Sequence, residues 1–136
     1  MENWKQLETI DLPVEMKVSA QELYISDSID DFSVRLEFPK TKDILVVDFG
    51  GNVLSYHVTD EGKRLRTYKY LSENYGTDFY AKWSLFEVEN SSYKSWFNEE
   101  SEEYAEGEIF HYCFFSEELL DVLSKSVPKI YIERNK

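Results

Sequence analysis

Three side chains in this 136-residue chain have the chemistry of a base or a nucleophile: His57, His111 and Cys113. His111 and Cys113 stand two residues apart, so a strand through them puts both on one face. A Cys–His pair works only when the two groups lie within hydrogen-bond reach and a third group orients the base. Neighbours along one strand do not aim at each other in that way, and a small buried thiol is the ordinary role for such a cysteine. His57 alternates with apolar neighbours and falls on the polar face of its segment. One cysteine and two histidines without ligand spacing give no zinc site. Asp27, Asp30 and Asp31 lack the ligand order and the distal glutamate of a calcium loop. Asp48-Phe49-Gly50 has no accompanying kinase segments, and Gly50-Gly51 has no phosphate-loop lysine after it. From the residues alone we assign no catalytic group, no metal and no cofactor.

Charge is the strongest global feature. There are 27 acidic against 15 basic residues, a net charge of −12. Residues 1–31 and 77–136 carry the excess at −6 and −7, while 32–76 is close to neutral. Such a surface repels phosphate backbones and attracts basic proteins, whose association it speeds at low salt. Net negative charge also serves solubility alone. There is no long apolar run for a membrane span and no secretion signal at the start. The single cysteine suits a reducing cytoplasm.

The elements that must position these residues follow from periodicity. Ile44–Phe49 and Val53–Val58, joined by Gly50-Gly51-Asn52, predict a β-hairpin whose first strand is central in a sheet. Phe32–Phe38 alternates cleanly as a half-buried strand, and Leu23–Ile29 reads as an irregular one. Residues 2–10 read as a short helix through Trp4, Leu7 and Ile10. A helix over 63–71 is suggested by Leu65, Tyr68 and Leu71. Phe79–Glu89 reads as a long strand, and Ser91 as the cap of a helix carrying Tyr93, Trp96 and Phe97 on one face. Ile109–Phe115 is a strand, Ser116 caps a last helix through Leu119–Leu123, and Lys129–Glu133 closes the sheet. The sum is a single α+β domain over 1–136, a mainly antiparallel sheet with two or three helices on one face.

One stretch combines carboxylates with large aromatics. Between Phe97 and Glu108 six of twelve residues are glutamate, with Trp96 before them and Tyr104 inside. Aromatic anchors concentrate interface energy, and surrounding carboxylates steer a basic partner. We therefore expect partner contact at Trp96, Glu99, Glu100, Glu102, Glu103, Tyr104 and Glu106, rather than at Asp27–Asp31. The alternatives are a solvated helix end, and a core position for Trp96 beside Tyr93 and Phe97.

The run Trp83-Ser84-Leu85-Phe86-x-Val88-x-Asn90-Ser91-x-Tyr93-x-x-Trp96-Phe97-x-x-Glu100-Ser101, followed by His111-Tyr112, Asp121-Val122-Leu123 and Pro128, resembles small bacterial immunity proteins of polymorphic toxin systems. Asn52-Val53-Leu54-Ser55-Tyr56-x-Val58-x-Asp60-Glu61 is similar to the same group. The resemblance implies inhibition by binding: a cytoplasmic protein that neutralises a cognate, basic, nuclease-like toxin by covering its active face. Two other classes remain open. A regulatory or DNA-mimic module would space its carboxylates like phosphates along an elongated face. A small enzyme would use His57 or His111 as base and would hold that histidine in a concave site beside a carboxylate.

Overall fold

The computed structural model describes residues 1–102 and 107–135. The chain there builds nine strands in two antiparallel sheets and three helices, so the α+β class holds. The five-stranded sheet runs β1 (Asn3–Gln6), β6 (Leu85–Glu89), β7 (Phe110–Phe115), β8 (Glu118–Ser124), β5 (Val53–Asp60). The four-stranded sheet runs β2 (Glu22–Ser28), β3 (Asp31–Glu37), β4 (Ile44–Gly50), β9 (Lys129–Glu133).

Alternation along β7 shows how the layers stack. Tyr112 and Phe114 point toward the four-stranded sheet, where both meet Phe49 of β4. His111, Cys113 and Phe115 point the other way, where His111 meets Tyr93 and Phe115 meets Tyr68 and Tyr80. Those tyrosines belong to α1 (Leu65–Tyr75), α2 (Asp78–Ala81) and α3 (Ser92–Glu100). The helices therefore cover one face of the five-stranded sheet, and its other face closes the sandwich. No helix among the described residues is long and apolar enough to cross a membrane.

Several local expectations give way to tertiary context. Ile44–Phe49 is an interior strand, but it does not form a hairpin with Val53–Val58. β4 pairs with β3 and β9, whereas β5 pairs with β8 in the other sheet. Gly50, at φ +59°, turns the chain out of one sheet and into the next. A Cβ on Gly51 would lie 3.3 Å from the backbone of Asp30, so the corner is packed too closely for a side chain. Residues 2–10 hold a strand, not a helix: Trp4 on β1 is buried against Phe86 and Phe115. The segment after Ser116 is β8. Leu119, Leu120, Val122 and Leu123 are all buried because β8 lies between β5 and β7, covered on both faces. The hydroxyl of Ser116 instead ties the β7–β8 turn, accepting from the Glu118 N–H. The long strand expected at 79–89 splits into α2 and β6. In α1, Leu71 is buried but Leu65 is exposed, so the core stripe is shorter than its spacing suggests.

Candidate functional site

Asp121 lies on β8 opposite His57 of β5 and Cys113 of β7, all on the helix-covered face. Its side chain is 2% exposed, and both oxygens are occupied. Oδ1 accepts from His111 Nε2 at 2.7 Å. Oδ2 accepts from His57 Nε2 at 3.0 Å and from Arg64 Nη1 at 2.8 Å. Burial alone would push this carboxyl up, but the hydrogen bonds from His111 and His57 and the charge of Arg64 outweigh it. Asp121 is held far below the usual carboxylate range and stays ionised.

An ionised carboxylate only accepts, so each imidazole donates its Nε2–H to Asp121. His111 is buried, and its Nδ1 has no partner among the described residues. His57 is half-exposed, with its Nδ1 as the second ring nitrogen. Arg64 enters from the turn before α1 and also donates from Nε to the Thr67 hydroxyl at 3.1 Å. Burial lowers the Arg64 pKa and Asp121 raises it, with a net rise.

The cluster forms the floor of an open cleft of about 560 Å³ beneath α3. Tyr93 lies 4.3 Å from His57 and 5.7 Å from Trp96, ring centre to ring centre, so its ring packs against both. The Tyr93 phenol and the Ser55 hydroxyl share a hydrogen bond of 2.5 Å. Helix α3 is fixed at its start as its sequence implies. The Ser91 hydroxyl accepts from the Lys94 N–H, and Glu2 accepts from both the N–H and the hydroxyl of Ser92.

Of the expected partner-contact residues, Trp96 is 51% exposed at the rim of this cleft, although its spacing equally fitted a core position. Glu99, Glu100 and Glu102 are exposed, and none makes an ion pair among the described residues. Glu103, Tyr104 and Glu106 lie outside the described residues. Cys113 is fully buried, and burial followed by the Asp121 charge pushes its thiol well up, so it is no ready nucleophile.

Sequence reasoning missed Asp121, Arg64 and Ser55. A lone acid inside Leu119-Leu120-Asp121-Val122-Leu123 was the available signal for the first, because a charge in an apolar run needs partners. Arg64 is one of four basic residues between 63 and 69, and it serves as an internal counter-charge to Asp121. The concave site beside a carboxylate, set as the mark of the enzyme class, is present for both histidines. Comparison with protein-family models, curated proteins and solved structures finds no match to this chain.

Proposed function

We propose that this chain is an immunity-type inhibitor: it binds a basic, nuclease-like toxin and covers the toxin's active face. The observation that carries the reading is Trp96, half out of the surface on an acidic helix. Glu99 and Glu100 follow it by three and four positions, which places them one turn along the same helical face. An exposed indole stacked on Tyr93 is a rigid anchor that loses little entropy when a partner covers it, and an indole face also attracts cations. The net charge of −12 adds long-range steering toward a basic surface. Glu103, Tyr104 and Glu106, outside the described residues, are assigned to the contact from their place in the sequence.

Co-expression with the product of the adjacent gene is the test. Rescue of growth is expected, with a co-purifying pair that Trp96→Ala weakens. Absence of both complex and rescue overturns it.

A second reading rests on the His57–Asp121 pair in the cleft. Asp121 accepts the Nε2–H of His57, whose Nδ1 would then take a proton from a water attacking a bound substrate. Against it, Asp121 is saturated by three donors, and Ser55 is bonded to Tyr93 rather than to a base. Rescue that survives His57→Gln would remove this reading, and rescue abolished by His57→Gln with the complex intact would favour it.

A further inference from the structure

The outer edge of β5 is open, and its register defines which groups face outward. The Glu61 N–H donates to the Glu117 carbonyl in the same register that pairs His57 with Asp121. Odd-numbered residues of β5 therefore bond to β8, and the N–H and C=O of Tyr56 and Val58 point away from it. Among the described residues no group bonds these outward amides and carbonyls.

Edges of this kind are normally guarded by charge, proline or shortness. β1 has four residues and carries the Lys5–Glu89 pair, β2 carries Glu22 and Asp27, and β9 begins at Lys129 and ends at Glu133. β5 has eight residues without lysine, arginine or proline, its one acid, Asp60, stands at its last position, and both Tyr56 and Val58 are 39% exposed.

A groove lies on each side of this edge. Ser55, His57 and Thr59 line the cleft beneath Trp96 and Tyr93. Leu54 and Tyr56 line a second groove of about 400 Å³ with Asp27, Asp30 and Asp31. The Tyr56 hydroxyl donates to Asp27 at 3.2 Å, which fixes that carboxylate beside the edge.

We infer that β5 accepts an added strand: an extended segment of the basic partner, with Lys or Arg at every second position. Resting on the binding reading above, this names how the partner is held. Backbone hydrogen bonds to Tyr56 and Val58 give affinity that is independent of sequence, and alternate side chains give specificity. Charge complementarity sets the register. Basic side chains face Asp27, Asp30 and Asp31, while the intervening apolar or aromatic side chains enter the cleft at His57, Tyr93 and Trp96. Both acidic regions of the chain then act on one partner segment, so Asp27–Asp31 join the contact that the sequence alone places only at the later acidic stretch.

The test uses two synthetic peptides of equal charge, one alternating Lys with Val or Thr, the other a stable helix, with amide hydrogen exchange as readout. Slowed exchange at Tyr56 and Val58 with the alternating peptide is expected, with little change at Ser55, His57 and Thr59, already bonded to β8. Val58→Pro, which removes an outward donor, should weaken that peptide at least tenfold. Binding of the alternating peptide without protection of Tyr56 and Val58 overturns strand addition, as does a preference for the helix, and either leaves the basic-partner reading standing. Binding of neither peptide counts against both.

Discussion

Asp121 is the residue on which the candidate site depends. One carboxylate joins β5 through His57, β7 through His111 and the entry to α1 through Arg64. Removing it leaves Arg64 part-buried without its counter-charge, so Asp121→Ala should destabilise the fold by about 3–5 kcal/mol in urea unfolding. Acid titration gives a second check. The folded pKa of Asp121 is depressed below its unfolded value of about 3.9. Its stabilisation is therefore complete above that value and is lost as the pH falls below it, because the unfolded chain takes up the proton first. Wild-type protein should lose more stability between neutral and strongly acid pH than Asp121→Asn; equal losses would show that another carboxylate governs acid unfolding. Trp96 belongs to a different class. Half-exposed, it should cost little stability on change to Ala, yet about 2 kcal/mol or more of binding.

At the scale of elements, α3 carries the anchor and is short, so its start matters. Ser91→Ala removes the bond to the Lys94 N–H and should cost about 1 kcal/mol, with faster amide exchange through α3. This cap was legible because it is local: a serine ahead of an aromatic stripe specifies a helix start without help from the rest of the fold. The same holds for β3, where Phe32, Val34 and Leu36 alternate with polar residues and face the core. β8 was not legible. Four apolar residues around one acid fit a buried helix as well as a strand covered on both faces, and only pairing with β5 and β7 decides. The Gly50-Gly51-Asn52 turn misled for a related reason. Its dihedral freedom suits a hairpin and a corner equally, and the choice depends on β8 and β9, which come some seventy residues later in the chain. The candidate site was half visible: both histidines and Trp96 could be singled out, but the acid that gathers the histidines lay inside the misread segment.

Across the whole molecule, the acidic excess predicts kinetics more than affinity. Exposed carboxylates tune the encounter with a basic partner, and salt screens them over about 10 Å. Changing Glu99, Glu100, Glu102 and Glu103 together to Gln should slow association and flatten its salt dependence while leaving Tm nearly unchanged. The dissociation rate should change less, because the apolar anchors are intact. The most direct measurement of the central claim is the association rate of the purified adjacent gene product with this protein, followed at low and at high salt. The expected result is a one-to-one complex that forms much faster at low salt, with Trp96→Ala raising the dissociation rate and the four-Gln variant lowering the association rate. No complex, or one whose formation ignores salt, Trp96 and the four glutamates alike, would contradict it.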